Sequence, residues 1–386
     1  MFTKKKTQML LIIYTLFIPF IHLLLLIIRA DIFFNKLAVL FMLILLFYYE
    51  VECLRTCKYK ILSFDFAVAV LVISSVLVSG ISVVINLDFY GLLLLLTILT
   101  VFIDQEILDQ TYIMFMKYEK ILCFLCYIFF FVVLFYYAIG QGTDVEGYLR
   151  GPFSLPHVLA YYCLVIYTMA YIAIKAKGGL CISCVRWNII KGFAIFICVV
   201  TAVRSALLAL MILVLCDFIR IKSQRIKASI ITVGILAIIL SLFFIGNNIE
   251  NIPVVKKTIE AFSAGSITNG RERFATYILD YYAKDNFIHK VFGSSIAQIR
   301  NIMYGYVNIA IHAHNDFVNV LVGYGVVNLF FLLIAWIRIG KKQIGIMGLL
   351  FFGILMFFNG VYMYIGFVQC IPLLIIFLRD KKRKRS

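Results

Sequence analysis

The sequence predicts an all-α polytopic integral membrane protein of about twelve transmembrane helices, with one long extracytoplasmic loop that contains an interfacial helix. Three observations predict it. Of the 386 residues, 64% are hydrophobic and 14% charged, against about 45–50% and about 25% in soluble domains, and the mean hydropathy is +1.03. Apolar runs recur along the chain at lengths near the ~20 residues that cross a bilayer. One long polar interval, Asn247 to Asp316, interrupts them. Residues 1–386 read as a single integral membrane domain, with 247–310 as the long extracytoplasmic loop within it.

The net charge of +17 would point to nucleic acid in a soluble chain. Here the cations are expected to gather on the cytoplasmic side and to meet anionic membrane lipid, so no nucleic acid is expected as a partner. None of the ten cysteines lies in 247–316, which argues against a disulfide framework in the exposed region. A structural zinc site needs four tetrahedral ligands. No nearby histidine completes one with Cys181 and Cys184, or with Cys53 and Cys57, so no metal is expected.

The first span, roughly 8–28, follows Lys4, Lys5 and Lys6 and is too long for the core of a signal peptide. Spans follow at roughly 37–49, 64–85, 89–103, 121–139 and 158–174, with 104–120 read as a loop of mixed charge. The loop 140–157, rich in Gly and Pro, falls outside by count and reads as a shaped turn. Lys175, Lys177, Arg186 and Lys191 mark an inside loop.

The interval 192–219 admits two readings. As one span, it places Arg204 near the bilayer centre, at about 2.5–3.5 kcal/mol on insertion scales. It also sends Arg220, Lys222, Arg225 and Lys227 outside, against the positive-inside bias. A hairpin with Arg204 at its outer turn relieves both penalties and is the expected arrangement. Spans at roughly 228–246, 311–337, 344–358 and 361–378 complete the count. Both termini are then cytoplasmic, and most of the 36 Lys and Arg lie inside.

Within the polar interval, Asn269 followed by Glu272 resembles a capping box. Phe274, Tyr277, Ile278, Tyr281 and Tyr282 then fall on one helical face, so an interfacial helix with its aromatic face toward lipid is expected. Arg271 and Arg273 lie in its first turn, where free N–H groups and the helix dipole favour anions. Two guanidiniums there form a candidate diphosphate cradle. Arg204 and Arg150 are further candidates for an external charged site. His312-Ala-His314-Asn315-Asp316 opens the tenth span, and a histidine there can serve as a base near neutral pH. If the helix runs from 312, His312, Asn315, Asp316 and Asn319 share a face. If it starts at about Asn315, His314 lies in the entry turn and can face the cavity. His157 reads as structural or functional with equal weight, and His22 as a core histidine.

Four stretches occur in order: Gly151-Pro-Phe-Ser-Leu-Pro-His-Val-Leu-Ala-Tyr161, Thr201-Ala-Val-Arg-Ser-Ala-Leu-Leu-Ala209, Gly270-Arg-Glu-Arg-Phe274 and His314-Asn-Asp-Phe-Val-Asn-Val-Leu-Val-Gly-Tyr-Gly325. Together they resemble the O-antigen polymerase and O-antigen ligase superfamily of bacterial surface-polysaccharide assembly, over about the second two thirds of the chain. The chain departs from that pattern at Ala202, where a glycine is usual, and at Asn328, where the ligases usually have Gly, Thr or Tyr.

The resemblance implies a GT-C-like glycosyltransferase of the bacterial cytoplasmic (inner) membrane, with a periplasmic active face. It implies undecaprenyl-diphosphate-linked glycans as substrates, inversion at the transferred sugar, and no metal or cofactor. Carried over, Arg204 and Arg271 hold the diphosphate, with Arg273 and Arg150 as weaker helpers. His314 is the expected base, with Asp316 or His312 as substitutes. A chain-length regulator protein is an expected partner. The expected activity is O-antigen polymerase. The alternatives are a ligase that moves polymer to lipid A-core and, from another class, a lipid-linked oligosaccharide flippase.

Overall fold

A computed structural model describes residues 4–28, 31–56, 62–79, 87–102, 104–176, 182–219, 259, 271–308 and 311–379. These residues form helices joined by turns, with one isolated bridge between Thr143 and Leu149. The protein is an all-α polytopic membrane protein. Four described helical stretches are long and apolar enough to cross a membrane: Lys5–Ile27, Glu119–Ala138, Pro156–Ala176 and Asp316–Phe358. The expected ninth span (228–246), the basic loop before it, the Asn269 cap and most of the polar interval before Arg271 lie outside the described residues.

In chain order the helices are α1 (Lys4–Ile27), α2 (Asp31–Thr56), α3 (Leu62–Ser79), α4 (Leu87–Val101), α5 (Gln105–Lys117) and α6 (Glu119–Ala138). Next come α7 (Pro156–Ala176), α8 (Ile182–Val200), α9 (Arg204–Ile219), α10 (Arg271–Lys284), α11 (Phe287–Phe292) and α12 (Ile296–Val307). The last are α13 (Asp316–Ile339), α14 (Gly345–Phe358), α15 (Ile365–Val368) and α16 (Ile371–Leu378), with a π-helical turn at Gly340–Ile344 between α13 and α14.

The bundle is organised around α7, whose residues from Leu159 to Ala173 are all buried. A helix that is apolar all round belongs in the middle of a bundle. It packs against α5, α8, α9, α15 and α16, with Tyr161 against Phe367 at 4.7 Å between ring centroids and Tyr171 against Phe377 at 4.6 Å. His22 is a core histidine, as expected: its Nδ1 lies 2.6 Å from the Tyr162 hydroxyl.

Several boundaries differ from the sequence reading. Residues 104–120 are not a loop but contain α5, capped by Asp104, which accepts from the Glu106 N–H at 2.9 Å. Its polar residues sit on one side, while Ile107, Leu108, Thr111 and Phe115 are buried on the other. Arg186 and Lys191 are not in a loop either, since α8 begins at Ile182. Lys191 pairs with Asp217 near the far end of α9, which ties the two arms together as an antiparallel hairpin. The break falls at Thr201-Ala202-Val203, so the 192–219 interval is two helices rather than one. The expected twelfth span is interrupted, with irregular backbone at 361–364 followed by the short α15 and α16.

The tenth span is also broken. It begins at Asp316, and Gly325 inside it has φ 85° and ψ 166°. That break frees the carbonyls of Val322, Gly323 and Tyr324 from the helical ladder. The turn between α11 and α12 meets two of them, Ser294 N–H donating to Val322 O at 2.9 Å and Ser295 N–H to Gly323 O at 3.0 Å. Asn328 Nδ2 donates to the third, Tyr324 O, at 2.6 Å and also to Ser74 Oγ at 3.0 Å. Irregular backbone within an apolar bundle is tolerated where protein groups satisfy it in this way.

The polar interval therefore holds three described helices rather than one. Arg271–Lys284 is helical as expected, but its face does not simply turn to lipid. Ile278 is fully buried, and Phe274 and Tyr282 pack on the protein core, against α12 and α13. Tyr277 stacks on Tyr306 at 4.1 Å, and Tyr281 remains 40% exposed.

Candidate functional site

The site forms where the starts of α7, α9, α10 and α13 meet the end of α14. Each start is set locally. Asn315 caps α13, its Oδ1 accepting from the N–H groups of Phe317 at 3.0 Å and Val318 at 3.2 Å, as an N-cap asparagine does. His314 just before it adopts a left-handed φ of 52°. Ala313 N–H donates to Asn319 Oδ1 at 3.0 Å, folding the entry segment back onto the helix. The helix therefore starts after His314, and both histidines lie in the entry turn with their rings 4.6 Å apart.

His312 Nε2 and His314 Nδ1 are buried, and among the described residues neither finds a hydrogen-bond partner. Burial, then the charge of Arg271, then His312 and His157, hold His314 down to about 2. Burial, then Arg300 and Arg271, hold His312 down to about 4. Both imidazoles are neutral at pH 7, and each keeps one unprotonated ring nitrogen.

Arg271 opens α10, and its Nη1 donates to Phe358 O at 3.0 Å and to Asn359 Oδ1 at 2.7 Å. The guanidinium thus sits at the C-terminal end of α14, where the helix dipole favours a cation. Arg204 opens α9, close enough to Arg271 for their charges to act on each other, with the Tyr148 hydroxyl also nearby. Ala202 lets the chain turn there with φ 54°, a left-handed conformation that explains why glycine suits this position. Two like charges brought close together, each on the first residue of a helix, are suited to an anion.

The other expected residues are placed differently. Arg273 is exposed. Two residues along a helix it cannot share the face of Arg271, so the expected paired cradle on one turn does not form. Arg150 is held within its own loop, Nη1 donating to Ser154 O at 3.5 Å. That loop is a shaped turn, as expected, with Arg150 and Gly151 N–H both donating to Gly142 O. Asp316 is 0% exposed. Its Oδ2 accepts from the N–H of Val361 at 2.6 Å and Tyr362 at 3.4 Å, which makes it a clamp on the 360–362 turn and no ready substitute for a base.

His157, which the sequence left open between a structural and a functional role, stands against Tyr364 at 4.7 Å. The roles of Asn359 and Tyr161 escaped the sequence reading: Asn359 links Arg271 to the Tyr161 hydroxyl, donating from Nδ2 at 2.8 Å. Asn359-Gly360, a turn signal between two apolar runs, was there to be read. Tyr161 closes the Gly151–Tyr161 stretch, but no sequence signal tied its hydroxyl to Asn359.

Residues 189–333 match the family model described as O-antigen ligase. Over that interval, a little over a third of its length, the chain is similar to the O-antigen ligase family. The matched interval includes Arg204, Arg271, His312, His314 and Gly325, whereas His157, Tyr161 and Asn359 come from outside it. No curated protein matches the chain. Family members are glycosyltransferase-like ligases and polymerases, and the match supports a function of that type for a bacterial membrane protein.

Proposed function

We propose that this protein is a surface-polysaccharide polymerase that joins undecaprenyl-diphosphate-linked repeat units at the outer face of the cytoplasmic membrane. The observation that carries the reading is the convergence of Arg204 and Arg271 beside the neutral, buried pair His312 and His314. A glycosyl diphosphate leaves once its developing charge is held, and preorganised cations supply that stabilisation. The acceptor hydroxyl needs a base within hydrogen-bond reach. His314 takes that proton, the acceptor oxygen attacks the anomeric carbon from the face opposite the diphosphate, and the configuration inverts.

The same geometry couples the two halves of the reaction. In the free protein, burial and then Arg271 suppress the basicity of His314. A bound diphosphate neutralises Arg271 and raises that basicity. The base becomes competent when the donor is in place, which disfavours futile proton abstraction.

The family match itself, described as O-antigen ligase, favours a second reading, transfer of finished polymer to lipid A-core. A deletion strain separates the two by its lipopolysaccharide. Loss of a polymerase leaves core bearing a single repeat unit. Loss of a ligase leaves polymer only on undecaprenyl diphosphate. A strain with no repeat unit at the surface would point to a flippase and overturn both readings.

A further inference from the structure

The two arginines reach the site from elements far apart in sequence, and something must set their separation. Tyr161 lies between them. It is 0% exposed on the central helix α7 and packs against Phe367 and Tyr364 with ring centroids 4.7 and 5.7 Å away. Its hydroxyl accepts from Asn359 Nδ2 at 2.8 Å, and Asn359 Oδ1 in turn accepts from Arg271 Nη1 at 2.7 Å. The same hydroxyl is hydrogen-bonded to Ser205, the residue after Arg204 in the first turn of α9. Asn359 Nδ2 and the Ser205 hydroxyl thus converge on one phenolic oxygen, which can accept from both.

We infer that Tyr161 is a positioning residue that fixes the spacing of the Arg204 and Arg271 guanidiniums, so that the site holds a lipid diphosphate in preference to a lipid monophosphate. The inference rests on the proposed function above. A guanidinium can grip one phosphate group through its fork. Two held at a fixed separation match two linked phosphates, whereas a single phosphate engages one of them well and the other poorly. In the chain Ser205–Tyr161–Asn359–Arg271, Arg271 is partly buried and the others are buried, and a hydrogen bond there tolerates little misalignment before it is lost. The aromatic ring supplies packing, and the hydroxyl supplies registry. Tyr161→Phe removes the second and keeps the first.

The test is binding of undecaprenyl diphosphate and of undecaprenyl monophosphate to the full-length protein in detergent, alongside its melting temperature. Wild type is expected to prefer the diphosphate. Tyr161→Phe is expected to weaken diphosphate binding about tenfold, the factor that ~1.4 kcal/mol of lost alignment gives. Monophosphate binding should change little, so the preference collapses. A merely structural role would weaken both lipids together or lower the melting temperature without touching the preference, and either result overturns the inference. If Tyr161→Phe does not fold, Ser205→Ala, which cuts the other arm of the chain, must show the same loss of preference. A wild type with no affinity for either lipid would instead refute the proposed function, which the inference needs.

Discussion

Gly325→Ala tests the broken helix on which the site is mounted. Gly325 has φ 85° and ψ 166°, a region closed to residues with a Cβ, and holding alanine there costs on the order of 1–3 kcal/mol. The added Cβ would also lie 2.1 Å from Val291 O and 2.6 Å from Gly293 N. Both are backbone atoms, and no rotamer change relieves them. The turn at 293–295 must retreat, which breaks the bonds from Ser294 and Ser295 N–H to Val322 and Gly323 O. Each carbonyl left buried and unpaired costs about 1–3 kcal/mol. The sum is on the order of 3–9 kcal/mol, a large part of the ~5–15 kcal/mol that holds most folds together. The assay is thermal unfolding of the purified protein in detergent, with Val326→Ala as control, since Val326 is 47% exposed. The reasoning predicts that Gly325→Ala melts well below wild type or does not accumulate, while the control melts within a few degrees of it. Equal melting of the two variants would refute the account of the break.

Two further outcomes follow from the same geometry. Ala202 holds a left-handed φ of 54°, so Ala202→Gly should stabilise the protein by about 1 kcal/mol and raise its melting temperature, with no loss of activity. His312 and His314 protonate near 6.5 in the unfolded chain but only near 4 and 2 when folded. Acid therefore favours the unfolded state: their contribution is intact above pH 6.5 and declines as pH falls from there, toward 4 for His312 and on toward 2 for His314. The melting temperature should drop across that window, and the double variant His312→Gln with His314→Gln should flatten the drop.

The fold class was legible because composition and run length decide it. Arg204 was legible for an energetic reason: an arginine at a bilayer centre is penalised heavily enough to force a turn. The histidine turn was visible as a motif, but its orientation hung on whether α13 started at 312 or at about Asn315, and those two starts turn different histidines inward. α5 was missed because its charged face masks a buried face at helical spacing, although Asp104 and Glu106 carried a start signal. Arg273 misled because adjacency in sequence suggested a pair that helical geometry separates. Tyr161 and Asn359 were illegible as a pair, since they lie 198 positions apart and only the packing of α7 on the 359–364 turn joins them.

The most direct measurement is polymer formation from a purified lipid-linked repeat unit by the reconstituted protein. The account predicts long chains from wild type and from Arg273→Ala, whose exposed side chain lies off the site. It predicts no chains from Arg204→Ala, Arg271→Ala or His314→Ala, with each variant folded and inserted. Full-length polymer from both the Arg204→Ala and the Arg271→Ala proteins would contradict it.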